Sequence, residues 1–227
     1  VILAPGEATM AGDTYINKLF DVSSITATAS IGDGDTVLLL DSPGNDRVFM
    51  QAQESRMYGP GYVNMAIGFA QTTAIAQHGG QDQATFIDTE QNETFMSMSN
   101  MAMMVGDDYV NQAVGFNEVE SLSVFGGVDE AYVLDSVDND RAIATKGFAT
   151  IANRSGRNKT TVRDFETIEL NASLGGNDKV VIFDSPQNDV VDYDAEMQTV
   201  TAALASTPTV PYLTTRNFEP TIILAIP

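Results

Sequence analysis

Gly32-Asp33-Gly34-Asp35-Thr36-Val37-Leu38-Leu39-Leu40-Asp41-Ser42-Pro43-Gly44-Asn45-Asp46 decides the fold, because it returns. The second copy runs from Gly79-Gly80-Gln81-Asp82 to Asp88 and Asn92-Glu93. The third runs from Gly126-Gly127-Val128-Asp129 to Asp135-Ser136 and Asn139-Asp140. The fourth runs from Gly175-Gly176-Asn177-Asp178 to Asp184-Ser185 and Asn188-Asp189. Asp35, Asp82, Asp129 and Asp178 are 47, 47 and 49 residues apart. A fixed period of this size marks one supersecondary unit used several times.

Within each copy the residues after the first Asp alternate. Thr36, Gln83, Glu130 and Lys179 are polar, and Val37, Ala84, Ala131 and Val180 are apolar. Leu39, Phe86, Val133 and Ile182 are apolar again. Period two with one apolar face is a half-buried β-strand. The Asp-Ser-x-x-Asn-Asp that follows is turn chemistry, since short polar side chains bond to nearby backbone. Val48, Phe95, Ala142 and Val191 then open a second strand. Met10, Met57, Met104 and Ile151 share a column, followed by Gly12, Gly59, Gly106 and Asn153. Gly exchanged for Asn is the pattern expected of a positive φ. Tyr15-Ile16-Asn17, Tyr62-Val63-Asn64 and Tyr109-Val110-Asn111 come next. Small residues line the last strand, with Ala27, Ala74 and Ser121 in one column, and suit a narrow interior.

These patterns predict an all-β protein: a β-solenoid, or parallel β-helix, of about four 47-residue repeats. A propeller-like β array is the alternative. The expected organisation is an apolar strand over 1–9, the repeat domain over 10–205, and an extended linker with an apolar strand over 206–227. Val1 in place of Met reads as the start of a mature or excised piece.

The chain carries 31 acidic and 11 basic residues, a formal charge of −20. That excludes nucleic acid as a natural partner, because phosphate binding needs Lys and Arg. No apolar run approaches a membrane span. Without Cys there is no disulfide and no thiolate metal site. His78, the single histidine, shares its column with Ile31, Phe125 and Leu174, and so reads as a packed structural residue.

Three groups of residues are candidates for function. The acidic columns Asp35, Asp41, Asp46, Asp82, Asp88, Asp129, Asp135, Asp140, Asp178, Asp184 and Asp189 offer hard oxygen ligands beside Gly-rich turns. Calcium is the cofactor such ligands would take, and no other is called for. The competing reading is that these carboxylates cap turns. The apolar ends, Val1, Ile2 and Leu3 with Ile222, Ile223, Leu224 and Ile226, are either caps for the solenoid or strands that join one copy to the next. Arg141, Lys146, Arg154, Arg157, Lys159 and Arg163 break the periodicity. They form a basic patch for a neighbour's acidic surface or a surface glycan, or else balance charge around an inserted loop.

The consensus, with Gly79-Gly80, Asp135-Ser136 and Tyr62-Val63-Asn64 followed by Gly68-Phe69, resembles tandem repeats of large secreted or surface proteins of planctomycete-type bacteria, over residues 10 to 200. The resemblance implies an extracellular structural or adhesive role without catalysis. The expected function is therefore a building block of a cell-surface filament, assembled head to tail. A carbohydrate-binding or carbohydrate-degrading β-helix and a calcium-stabilised spacer are the alternatives.

Overall fold

The computed structural model describes residues 1–30, 34–156, 158–219 and 221–224. The chain is all β-strand and coils into a solenoid with two sheets, of 13 and 11 strands. Each repeat contributes an antiparallel three-stranded meander and then two single strands. The first meander is β1 (Ile2–Ala4), β2 (Glu7–Gly12) and β3 (Tyr15–Phe20), followed by β4 (Ser24–Thr28) and β5 (Thr36–Leu40). The second is β6 (Arg47–Met50), β7 (Glu54–Gly59) and β8 (Tyr62–Ile67), followed by β9 (Gln71–Ile75) and β10 (Gln83–Ile87). The third is β11 (Thr94–Met98), β12 (Met101–Val105) and β13 (Val110–Val114), followed by β14 (Glu118–Leu122) and β15 (Glu130–Leu134). The fourth is β16 (Asp140–Thr145), β17 (Phe148–Asn153) and β18 (Lys159–Arg163), followed by β19 (Thr167–Asn171) and β20 (Lys179–Phe183). The last is β21 (Asp189–Asp194), β22 (Thr199–Leu204) and β23 (Pro211–Arg216), followed by β24 (Thr221–Leu224).

Every connection outside a meander crosses to the other sheet. There are three such crossings per repeat, an odd number, so successive meanders lie on alternate sheets. β1–β3, β11–β13 and β21–β23 belong to the larger sheet, and β6–β8 and β16–β18 to the smaller. Adjacent repeats are thus related by a half turn, and two repeats make one true translation. Strands from successive coils pair in parallel, as β5 does with β9 and β10 with β14. The middle strand of each meander is antiparallel to both neighbours. The expected parallel β-helix is therefore a mixed one. Its tight connections, such as Pro60-Gly61, can join only antiparallel strands.

The alternation places the core as expected. Val37, Leu39, Ala84, Phe86, Ala131, Val133, Val180 and Ile182 are all buried. Phe69, Phe116, Phe165 and Phe218 form a second buried column. The residue before each of these aromatics has positive φ: Gly68, Gly115, Asp164 and Asn217. Gly, Asp and Asn are the residues that tolerate that conformation, so the column keeps its geometry while its identity varies. The interior is narrow enough that Phe86 and Phe95 meet edge to face at 5.5 Å.

Several expectations are corrected. Gly12, Gly59 and Gly106 do not have positive φ. A Cβ would run into the ring of Tyr15 at Gly12 and of Tyr109 at Gly106, and at Gly59 first into the Asp46 carboxylate and then the Tyr62 ring. Asn153 is allowed in the fourth copy because that repeat has no tyrosine there. The N-terminal strand is not outside the repeat. Val1 stands one period before Val48, and β1 is held on both sides, by β2 and β5. The described residues thus hold five meanders, against about four repeats expected. The stretch expected as an extended linker before the terminal apolar strand contains a strand of the solenoid. β23 lies between β19 and β22, with Tyr212, Leu213, Thr214 and Thr215 buried. A longer connection, 205–210, and a register shift at Ala202/Ala203 stretch the period there and hide it in the sequence.

Candidate functional site

The Asp motifs collect along the edges where the chain passes between sheets. The last acid of each motif locks its own turn. Asp46 accepts from the Ser42 N–H at 3.0 Å and from its hydroxyl. Asp140 does the same with Ser136, and Asp189 with Ser185. The second copy changes both partners together: Glu93 takes the Thr89 N–H at 3.2 Å and its hydroxyl at 2.5 Å.

The other acids tie one coil to the next. Asp41, Asp88 and Asp135 accept backbone N–H groups of His78, Phe125 and Leu174, at 2.8, 2.9 and 3.0 Å. Asp82, Asp129 and Asp178 accept the N–H of Asp46, Glu93 and Asp140, at 2.8, 2.6 and 2.7 Å. Asn45, Asn92 and Asn139 accept from Gln81, Val128 and Asn177. Loops leave orphaned backbone donors that must find acceptors, and here the periodic side chains supply them. The second Gly of each Gly-Gly pair permits the close stacking. A Cβ on Gly80, Gly127 or Gly176 would strike the carbonyl of Gly44, Gln91 or Asp138 below it. The turn-capping role of these acids is therefore direct.

The same geometry brings carboxylates together. Asp88, Glu93 and Asp129 are buried and offer oxygens within 4.8 Å of one another, and so do Asp135, Asp140 and Asp178. Asp41, Asp46 and Asp82 hold the corresponding positions in the first copy. There Tyr62 donates to Asp46 Oδ1 at 2.7 Å, and His78 Nδ1 lies 2.6 Å from Asp41 Oδ1. Burial raises Asp82 to about 6 against the pull of the Asp46 N–H, and the Asp46 and Asp41 charges add to the rise. Burial raises Asp135 and Asp178 in the same way. The phenols beside the clusters are pushed up too: Tyr62 by burial and its bond to Asp46, and Tyr109 by burial and the charges of Glu93 and Asp88. Tyr212 rises to about 12 through burial and the Asp189 charge. Asp35 joins no cluster. It is exposed, and its carbonyl takes up the Gln71 N–H. Asp184 and Asp189 belong to the final turn.

His78 is not packed in an apolar slot. Its side chain is half exposed, as are Phe125 and Leu174 in the same column, and it turns to Asp41. Among the assembly candidates, Leu3 is buried inside the larger sheet, whereas Ile222, Ile223 and Leu224 are exposed on β24, the outermost strand of the smaller one. Ile226 lies outside the described residues, as does Arg157. The other basic candidates, Arg141, Lys146, Arg154, Lys159 and Arg163, are exposed along β16–β18. Arg163 pairs with Glu120 at 2.7 Å and covers the Phe148 ring, and Lys146 reaches Gln187. Arg141 stands beside Lys179 across the strand pair, and both line an open pocket with Arg154.

Sequence reading missed two acceptors. Asn117 and Glu166 take the N–H of Asp82 and Asp129, each at 2.8 Å. The signal was their place directly after the core residues Phe116 and Phe165.

Fold and edge clusters together define the class of the protein: a mixed β-solenoid whose coils are pinned by buried carboxylates. Comparison with family models, curated proteins and solved structures gave no match to the chain.

Proposed function

We propose that the chain is a structural building block of an extracellular, surface-attached polymer, stacked head to tail through the open strands at its two ends. The observation that carries this reading is the complementarity of those edges. β8, β13, β18 and β23 each pair in parallel with a strand one repeat earlier: β4, β9, β14 and β19. β3 belongs to the first series and lacks that partner, being the outermost strand of its sheet. β24 belongs to the second series and has a free outer edge. One copy's β3 therefore fits the β24 of another. Both carry exposed apolar residues: Tyr15, Ile16, Leu19 and Phe20 on β3, and Ile222, Ile223 and Leu224 on β24. Open apolar edges of this kind invite strand addition. The charge of −20 opposes sideways clumping and leaves end-to-end contact favoured. The same register leaves β21 of one copy and β4 of the next one strand apart.

Light scattering and negative-stain microscopy test the reading. The wild-type chain is expected to form rods that lengthen with concentration. Ile16→Lys and Ile223→Lys should each give folded monomers, because each removes one half of the joint. A wild-type chain that stays monomeric at millimolar concentration sinks the proposal.

A second reading, glycan binding, draws on Phe49 and Tyr58. Their rings stack at 6.1 Å on the outer face of the smaller sheet, with Arg56 over Tyr58 and Glu54 alongside. Aromatic platforms beside polar groups suit sugar rings. A glycan array on which Tyr58→Ala and the wild type behave alike would dismiss it.

A further inference from the structure

The carboxylate clusters of successive repeats are one motif with different neighbours, and the difference singles out the second. In the first repeat Asp41 is satisfied at both oxygens. Oδ2 accepts the Gln77 and His78 N–H groups, and Oδ1 meets His78 Nδ1 at 2.6 Å. In the third, both oxygens of Asp135 face the Leu174 N–H, at 3.0 and 3.2 Å. In the second, Asp88 Oδ2 accepts the Phe125 N–H, but Phe125 stands where the imidazole stands in the first repeat. Asp88 Oδ1 is buried with no partner, on a residue only 3% exposed.

A phenol points into the same place. The Tyr109 hydroxyl, on a residue 6% exposed, is turned toward Glu93 without closing a short hydrogen bond among the described residues, and the charges of Glu93, Asp88 and Asp129 all act on it. Its counterpart Tyr62 donates to Asp46. The second cluster thus holds three buried carboxylates and one unpartnered carboxylate oxygen among the described residues, with the Tyr109 hydroxyl turned toward Glu93. No salt bridge reaches it among the described residues. Buried charge without a counter-charge costs several kcal/mol per ion, a cost that a bound cation would offset.

We propose that Asp88, Glu93 and Asp129 bind a calcium ion at this edge, with the Tyr109 hydroxyl beside it. The donors are all hard oxygens, with no imidazole or thiolate among them, which favours calcium over zinc. Oxygens within 4.8 Å of one another can share one ion at calcium–oxygen distances of about 2.3–2.6 Å. Each carboxylate oxygen has a second lone pair, so the ion need not displace the bonds that Asp129 accepts from the Glu93 N–H and the Ser123 hydroxyl, or those that Glu93 accepts from the Thr89 N–H and hydroxyl. The ion sits at the second repeat in the place where the His78 imidazole meets Asp41 at the first. The site is independent of end-to-end assembly, since it lies in the middle of the rod.

Terbium, a luminescent calcium substitute, tests the site in the full chain after chelator treatment. Excitation of tyrosine is expected to give sensitised terbium emission that calcium displaces, together with a saturable rise in melting temperature with calcium. Asp88→Asn keeps an acceptor for the Phe125 N–H and removes one charge. It should weaken calcium binding about tenfold or more, as loss of a charged ligand does. Tyr109→Phe should quench the sensitised emission while leaving the calcium-dependent melting shift. Phe125→His, a change at an exposed position, should install the first repeat's imidazole and shrink that shift at pH 6, close to the ordinary imidazole pKa of about 6.5. A wild-type chain whose melting is indifferent to calcium and that shows no sensitised emission overturns the proposal. So does an unchanged calcium response in folded Asp88→Asn.

Discussion

Tyr109 and Tyr15 occupy the same column, follow the same glycine and precede the same Ile/Val-Asn pair, yet one is buried and the other is 48% exposed. β13, which begins directly after Tyr109 in the middle of the rod, is held on both edges, by β12 and β9. β3 is held on one, by β2. In a solenoid, then, a residue's burial comes from the coil beside it rather than from its own repeat. The same sequence is core in the middle and sticky surface at the end. Solenoids are stabilised by nearest-neighbour interfaces, and an end repeat has one fewer.

The largest test of this contrast sets a buried aromatic in the middle of the rod against an exposed one at its end. Phe165→Ala, in the middle, should destabilise by about 3–5 kcal/mol in denaturant melts, the usual cost of emptying a buried aromatic site. Phe20→Ala, at the N-terminal end, should leave monomer stability unchanged and shorten the rods seen by microscopy. Equal losses at both positions would break the comparison. Next comes Gly127→Ala. Its φ is +98° and the new Cβ meets the Gln91 carbonyl, so it should cost more than the roughly 1–2 kcal/mol of left-handed strain alone. Gly6→Ala, at φ +80° with open space around it, should cost only that strain.

The smallest effect is electrostatic. Asp82 is raised from 3.8 to about 6 by burial, so between these values the native state binds more protons than the unfolded chain. The stability this group contributes is complete below about pH 4 and lost as pH rises through 6. In chelator, melting temperature should therefore be higher at pH 5 than at pH 7.5, and Asp82→Asn should flatten the difference. A melting temperature that climbs steadily with pH would contradict the assignment.

The periodic strands could be read directly, because alternation of polar and apolar residues reports which side of a strand is buried. Val37 and Leu39 and their equivalents all face inward. The same alternation is silent on which sheet a strand joins, so the exchange of meanders between sheets was not legible. Nor was the bond between His78 and Asp41, which links residues 37 apart through stacking that only the coiled chain creates. The Gly12 column was misread because a demand for space and a demand for positive φ both select glycine. They separate only when the Tyr ring is seen lying across it. The N-terminal strand was legible as a strand but not as part of the repeat, although Val1 is one period before Val48, because the Asp turn that marks the register in other copies is not in the sequence read. The acidic columns were legible as turn caps. The orphaned oxygen of Asp88 was not, because its neighbour Phe125 differs from His78 in a column whose burial the sequence overstated.

The odd number of sheet crossings has a consequence for any rod these chains build. β3 lies in the 13-stranded sheet and β24 in the 11-stranded one. Joining them requires each new copy to be turned by half a revolution about the long axis. The polymer would then follow a twofold screw, with an axial repeat of two molecules. The cationic strip of β16–β18 would face one side on one molecule and the opposite side on the next. Such a rod has no distinct front and back, and a ligand for that strip would decorate it alternately along both flanks.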